Sequence, residues 1–345
     1  MSPRSERVPA GNLAGSFEVS TGDQRSLDLA LLRRFGINAF STCLLYDSVS
    51  RYHLQRTDGF VGYLSSRWLL VALGEPVCAE PDFRTAAEEF SAFAAAEEKG
   101  SVFVAVGREF VDANATARAT ILPIGDDFIF DVKTYAPRGD PAKKVRSARN
   151  KAVRLGCRVR EYRPSLGRNP PLEAAFEAVS TRWLRAHSRF AMRLLSLDLF
   201  RLTGLKRFFW VELDGRVVAF LSCLPIYARH GYLFEDLVRD PAAPSGATEL
   251  MVLEAIRTLR REGVAMASFG LSPLVRVDGA MNLSAVGAAI ARVGVATAAQ
   301  VGRLHRLYHY RKKFHTANAE PAYLWKFPAG IGVRDLWAIV RAFGS

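Results

Sequence analysis

The stretch "LFEDLVRDPAAPSGATEL", residues 233–250, runs from an apolar segment through a loop of small residues into the start of a periodic one. Tyr232, Leu233, Phe234, Leu237 and Val238 read as a buried strand, yet Glu235, Asp236 and Arg239 lie among them. Charged side chains seldom enter such a strand without a reason, which is either a site or a structural Asp-Arg pair that closes the strand. Apolar periodicity from about Thr248 to Arg261, closed by Gly263, predicts a helix after the loop. On a regular strand Asp236 faces one side, and Glu235 and Arg239 face the other unless the chain turns back near Val238.

Working outward, this strand–loop–helix unit is preceded by a helix over "PPLEAAFEAVSTRWLRAHS" and by the hairpin "FFWVEL-DG-RVVAFLSCLPIY", whose Asp214-Gly215 is a two-residue turn signal. The strand "AMASFGLSPL" follows it. The first half repeats the order: a helix at about 27–35, strands "GFVGYLS" and "WLLVALGEPVCA", an Ala-rich helix from Phe83 to Lys99, then the strand "SVFVAVG". Strand-like runs "ATILPIG" and "DFIFDV" come next. Helix, antiparallel strands, strand, helix, strand is the order of a GNAT-type acyltransferase fold. The expected fold is therefore α/β, with two tandem GNAT-like units, each a mixed, mostly antiparallel sheet flanked by helices. The expected division is a disordered lead-in over 1–26, a first unit over 27–136, a basic linking helix over 137–160, a second, catalytic unit over 161–330 and a C-terminal amphipathic helix over 331–345.

Composition narrows the function. The longest apolar run, Val286 to Val301, is interrupted by Arg292 and too short to span a bilayer. Residues 1–16 lack the apolar core of a secretory signal, and four scattered cysteines form no CxxC pair, so a cytoplasmic, reducing setting is expected without disulfides or zinc. Lys and Arg outnumber Asp and Glu by 47 to 34, a net charge of +13, which points to a polyanionic partner. The excess is concentrated in residues 138–160 and in "RLHRLYHYRKKFH", residues 303–315. The first reads as a helix with Asp140 as N-cap, Pro141 at the first position, a stripe of Val145, Ala148, Ala152 and Leu155, and Gly156 past its end. The second interleaves cations with Tyr308, Tyr310 and Phe314, on which bases could stack. A merely solvated cationic face is the plainer alternative.

Six segments, "LVALGEPV" (70–77), "RSARNKAVRLG" (146–156), "VSTRWL" (179–184), "DLVRDPAAPSGATELM" (236–251), "FGLSPL" (269–274) and "YRKKF" with "EPAYL" (310–324), occur in an order that resembles the cytosolic C-terminal domain of phosphatidylglycerol lysyltransferases and alanyltransferases. That resemblance implies transfer of an amino acid from aminoacyl-tRNA to a lipid hydroxyl. It also implies that the Asp and Arg of D-x-x-R, Asp236 and Arg239, belong to the active site, as proton acceptor or positioning carboxylate and as its partner or an anion clamp. Glu235, Glu249, Ser272, Tyr310 and Lys313 are candidate substrate contacts, with Glu249 alternatively a first-turn acid favouring the helix dipole. Lys143, Lys144, Arg146, Arg149, Asn150, Arg303, Arg306, Arg311 and Lys312 are the expected tRNA contacts. The family's best-known members carry a large membrane-spanning N-terminal portion that this chain is expected to lack.

An aminoacyl ester is already activated, so the transfer requires neither ATP nor a metal, and aminoacyl-tRNA serves as co-substrate with no further cofactor. The expected partners are aminoacyl-tRNA and either an anionic phospholipid or a small-molecule hydroxyl, hydroxylamine or amine acceptor, with peripheral contact on the inner face of the membrane. Two other classes stay open: a CoA-dependent N-acyltransferase, for which "RDPAAPSGA" is a poor pyrophosphate loop, and a non-enzymatic tRNA or membrane-surface binder. His305 and His309, spaced i, i+4, lack an evident third metal ligand, and His187 and His230 flank the catalytic segments. The C-terminal "GVRDLWAIVRAFGS" sets Leu336, Trp337, Ile339, Val340 and Phe343 against Arg334 and Arg341, a face for packing or for a membrane interface.

Overall fold

Period-two runs rich in Val, Phe and Leu pair into one sheet, and the apolar stripes of the helices cover it. The computed structural model describes residues 21–186, 199–274, 276–285, 287–289, 304–316 and 318–342. Among these the strands are β1 (Ser50–His53), β2 (Phe60–Ser65), β3 (Leu69–Leu73), β4 (Gly100–Val106), β5 (Thr120–Asp131), β6 (Arg158–Tyr162), β7 (Arg207–Leu213), β8 (Arg216–Ile226), β9 (Gly231–Arg239), β10 (Met266–Pro273) and β11 (Asn318–Phe327). They lie side by side as β1-β2-β3-β4-β11-β5-β10-β9-β8-β7-β6. Neighbours are antiparallel except β3 with β4 and β9 with β10. Each half thus has one parallel pair with a helix in its crossover: α2 (Phe83–Ala96) between β3 and β4, and the helix Ala247–Arg261 between β9 and β10. This is the tandem GNAT-like α/β fold.

The expected boundary near residues 136–161 divides the sequence, but the sheet runs on across it. β11, from the end of the chain, pairs with β4 of the first half and with β5, and β5 in turn pairs with β10 of the second half. Helix α1 (Thr21–Phe35) begins within the stretch expected to be a disordered lead-in, residues 1–20 lie outside the described residues, and the short helix α3 (Arg108–Ala113) follows β4. The Asp214-Gly215 turn forms as its sequence requires, with both residues at positive φ and Leu213 opposite Arg216.

Alternation on β7 shows how the core fixes the site. Phe208 faces Phe176 and Val179 of α5 (Pro170–Ala186), whereas Phe209 faces Leu250, Met251 and Ile256 of the helix on the other side. Each such ring, fully buried, contributes about 1.5–3 kcal/mol. The central strands of the second half are therefore clamped between two helices, and their polar residues stand at fixed positions. The basic helix α4 (Lys143–Arg154) starts later than its sequence suggested: Ala142 is its cap, and Asp140 and Pro141 form a preceding turn. Val145 and Ala152 are buried against the helix Ala247–Arg261, but Leu155, past the last turn, is exposed.

Candidate functional site

The acids of the opening stretch share one side of β9. Leu221 of β8 pairs with Leu237 and Cys223 pairs with Phe234, so the single residue Ser222 stands opposite both Glu235 and Asp236. This is a β-bulge, which redirects one side chain that strict alternation would send the other way. Phe234 and Leu237 pack on the helix Ala247–Arg261, while Leu233 and Val238 enter separate clusters on the other side. Ser222 Oγ donates to Asp236 Oδ2 at 2.7 Å, accepts from the Asp236 amide at 3.0 Å and lies 3.3 Å from Glu235 Oε2. The expectation that Glu235 and Asp236 face apart is corrected by this inserted residue.

One cation serves both acids. Lys206, in a turn just before β7 and only 1% exposed at its side chain, places Nζ 2.9 Å from Glu235 Oε2 and 4.0 Å from Asp236 Oδ2. Tyr46, which follows the short 3-10 turn Ser41–Leu45, donates its hydroxyl to Glu235, and Cys43 Sγ lies 3.8 Å from the same oxygen. That turn is held down by Thr42 Oγ1 donating to the Pro225 carbonyl at 2.5 Å. Burial pushes the Asp236 carboxyl above the usual carboxylate range, and the charge of Glu235 pushes it further, against the opposing pull of Lys206 and Ser222. Burial works against the Lys206 ammonium, but the two carboxylates outweigh it and its pKa is raised. Burial and Glu235 keep the Cys43 thiol and Tyr46 phenol protonated.

Arg239 is not the partner of Asp236. Its guanidinium donates to the Ala243 carbonyl at 3.0 Å, and its charge acts on Tyr310, which packs on the opposite side of the sheet. There the structure gathers four predicted residues: Arg239, Glu249, Tyr310 and Lys313. The Lys313 ammonium pairs with Glu249 and sits 3.7 Å from the centre of the Tyr310 ring. Glu249 is buried and also meets Thr248 Oγ1 at 3.0 Å. Burial alone would raise its pKa, but Lys313 holds it below the ordinary value. The two clusters flank an opening in the sheet. β9 and β10 pair only over Gly231–Leu233 and Met266–Ser268, and beyond that point β9 follows β8 while β10 bulges at Phe269–Gly270 and follows β5.

Arg311 braces the β10 side of this wedge. Its Nη1 donates to the carbonyls of Leu271 at 2.7 Å and Gly270 at 3.2 Å, and to Ser272 Oγ at 3.1 Å. Burial lowers its pKa to about 10, countered by Asp127. Two expectations are corrected here. Arg311, read as a tRNA contact, is an internal brace, and Ser272, read as a substrate contact, is fully buried beneath it. The reason is that the β10 bulge leaves carbonyls needing a donor, and an arginine satisfies several at once. The loop after β9 is closed as well: Gly246, at φ +97°, lies so near Ala148 of α4 that a Cβ there would come within 1.9 Å of its carbonyl oxygen.

The remaining cations are divided. Lys143, Lys144 and Asn150 on α4 and Arg306 and Lys312 on the helix Leu304–Lys312 are exposed. Arg146 donates to the Pro137 and Gly139 carbonyls, and Arg149 lies 3.7 Å from Glu254. With Asn150, Arg257 and Arg260, these two line a cleft of about 330 Å³ between α4 and the helix Ala247–Arg261. Arg303 and His187 lie outside the described residues, as does much of the Val286–Val301 run. The aromatic residues between the second group of cations do not offer stacking surfaces: Phe314 and Tyr308 are buried, the latter donating to Asp126 at 3.1 Å, and Tyr310 lies under Lys313. His230 is exposed at a left-handed turn.

Sequence reasoning missed Lys206, Tyr46 and Ser222. Ser222 had a signal, being one hydroxyl inside the apolar run "VVAFLSCLPI", and two acids in a strand call for a cation. Nothing local in the sequence ties Lys206 or Tyr46 to them.

Comparison with known proteins agrees with this architecture. A family model described as phosphatidylglycerol lysyltransferase, C-terminal, matches residues 29–326. A phosphatidylglycerol lysyltransferase of Staphylococcus epidermidis is 22% identical over 218 residues, 62% of this chain and 26% of the relative. The chain thus spans about a quarter of that relative's length. Among solved structures, the C-terminal domain of a putative lysylphosphatidylglycerol synthetase from Agrobacterium fabrum superposes with a TM-score of 0.74 at 17% identity, covering 94% of this chain and 96% of that one. L-PGS from Bacillus licheniformis gives 0.73 at 18%, covering 93% and 97%. At these identities the superpositions establish the fold, and the family model, matching most of the chain, establishes the kinship: the protein belongs to the phosphatidylglycerol lysyltransferase C-terminal family.

Proposed function

We propose that the chain is an aminoacyltransferase that moves an amino acid from aminoacyl-tRNA to a hydroxyl of phosphatidylglycerol. The observation that carries the reading is the bulge that sets Glu235 and Asp236 together beside the wedge, with the second cluster of Arg239, Glu249, Tyr310 and Lys313 across the sheet from them. In the reaction the acceptor hydroxyl oxygen attacks the ester carbonyl of the aminoacyl group, a new C–O bond forms, and the bond to the ribose oxygen breaks. Asp236 takes the acceptor's proton, which ends on the departing ribose oxygen. A carboxyl whose pKa is lifted toward neutrality suits both halves of that transfer. Lys206 keeps the paired acids from repelling each other and holds Glu235 in place. No ATP, metal or further cofactor is required, because the ester is already activated.

Two further observations support the reading. A CoA thioester would need its pyrophosphate at the amino-terminal turn of the helix Ala247–Arg261. That turn is buried: Ala247, Thr248 and Glu249 are enclosed, and Gly246 abuts α4. The exposed lysines of α4 and the arginine-lined cleft beside them suit a phosphodiester backbone in place of CoA. The test is incubation with radiolabelled aminoacyl-tRNAs and phosphatidylglycerol vesicles. Label moving into the lipid phase supports the proposal. Label moving instead to an added aqueous acceptor replaces the lipid with a small molecule, and label that stays on tRNA refutes the transferase reading.

A further inference from the structure

The C-terminal helix Val333–Ala342 has more apolar surface than its packing uses. Leu336, Ala338 and Ile339 lie against Leu69, Val71, Val102 and Leu324 of the sheet. Trp337 is nevertheless 61% exposed and Val333 67%, so of the two readings of this face, packing or a membrane interface, packing does not account for the tryptophan. Beside them, at the entry to β3, Trp68 is 43% exposed. Two guanidinium groups lie over its ring, Arg67 at 4.6 Å and Arg334 at 5.4 Å from the ring centre. The helix's own acid is turned inward: Asp335 accepts from the Gly332 amide at 2.8 Å and lies 3.8 Å from Lys326.

We propose that Trp68, Val333 and Trp337, with Arg67 and Arg334, form the surface that seats this protein on an anionic phospholipid bilayer. Indole rings settle at the headgroup level of a membrane, where their apolar body and N–H are both accommodated, and adjacent arginines meet lipid phosphates. Charge complementarity supports that occupant, because Arg67 and Arg334 are exposed whereas Asp335 is engaged by Gly332 and Lys326. A nucleic acid fits less well: the Trp68 ring on which a base would stack already has two guanidinium groups over it. The inference rests on the reading that the acceptor is a membrane lipid, and it adds the surface through which that lipid is reached.

The experiment is flotation of the full chain with vesicles of phosphatidylglycerol and phosphatidylcholine, and with phosphatidylcholine alone, for the wild type, Trp68→Ala/Trp337→Ala and Arg67→Glu/Arg334→Glu. The expected result is preferential recovery on the anionic vesicles, quenching of tryptophan emission by brominated lipid in the wild type, and loss of binding in both variants with melting temperature unchanged. Reversing the arginines should cost more than the roughly fivefold per residue that losing one basic charge near the surface carries. Equal flotation of wild type and variants overturns the proposal, as does a patch whose loss abolishes self-association or tRNA binding and leaves vesicle binding intact. Transfer to a short-chain, water-soluble phosphatidylglycerol, measured in parallel, separates the two claims. Retained transfer with patch-independent flotation condemns the surface alone, whereas absent transfer with patch-dependent flotation condemns the acceptor alone.

Discussion

The Lys206 ammonium lies 2.9 Å from Glu235 Oε2, and this buried contact sets the charge around Asp236. Asp236 as the proton acceptor must be ionised, so transfer should rise with pH through its elevated pKa. Lys206 lowers that pKa and Glu235 raises it. Lys206→Met should therefore move the acidic limb of the rate profile to higher pH, and Glu235→Gln should move it lower. Cys43, Tyr46 and Ser222 also face the pair, but neither Cys43 nor Tyr46 titrates in this range, because burial holds both protonated. Limbs that do not move, or that move together, would separate Asp236 from the titration. Lys206→Met also leaves buried carboxylates without their cation, at about 3–5 kcal/mol, so its melting curve should be read beside its rate.

Arg311 and its neighbours on the same helix should behave oppositely. Arg311→Leu leaves the carbonyls of Gly270 and Leu271 without their donor, at about 1–3 kcal/mol for each group that stays unsatisfied. Arg306→Ala and Lys312→Ala, both on the surface, should stay within about 0.5 kcal/mol. Chemical denaturation of the three variants checks this, and a stable Arg311→Leu would deny the wedge its brace.

The exposed lysines of α4 should be visible in the salt dependence of tRNA affinity. The logarithm of affinity should fall linearly with that of salt, and Lys143→Glu/Lys144→Glu should flatten the slope by roughly 0.7–0.9 per lost phosphate contact. Filter binding from low to moderate salt measures it. An unchanged slope would remove α4 from the tRNA surface.

Much of this was legible in the sequence where interactions are local. The Asp-Gly hairpin, the strand–loop–helix unit at 233–261 and the repeated order of elements were all readable, because turn chemistry and periodicity act over a few residues. The site was legible only in part. Glu249, Tyr310 and Lys313 do meet, but Asp236 does not pair with Arg239, because β9 is regular from Asp236 to Arg239 and residues three apart face opposite sides, while the bulge that sets Glu235 beside Asp236 is defined by β8, a different strand. Lys206 and Tyr46, respectively 29 and 189 positions from Glu235, likewise gave no local sign. Charge in "YRKKF" marked a basic segment without revealing that Arg311 turns inward and Lys312 outward.

Gly246 tests the closure that argues against CoA. Its φ of +97° disfavours any side chain, and a Cβ would collide with the Ala148 carbonyl. Gly246→Ala should lose about 1–3 kcal/mol from overpacking, with added backbone strain. Calorimetry checks the loss, and an unperturbed variant, or CoA binding by the wild type, would reopen the loop as a pyrophosphate site.

The central claim is that Asp236 works on substrate and does not merely hold the strand. A carboxyl with a raised folded pKa stabilises the protein fully only below its unfolded value, and that stability is lost as pH rises through the folded value. At neutral pH, then, Asp236→Asn removes an unfavourable buried charge while keeping a side chain that can bond Ser222. The most direct measurement is single-turnover transfer of label from aminoacyl-tRNA to phosphatidylglycerol by Asp236→Asn, with melting temperature and tRNA affinity taken on the same sample. The account predicts transfer reduced by about 10² to 10⁴, with unchanged tRNA affinity and a melting temperature at or above the wild type's. Near-normal transfer by a destabilised variant would contradict it.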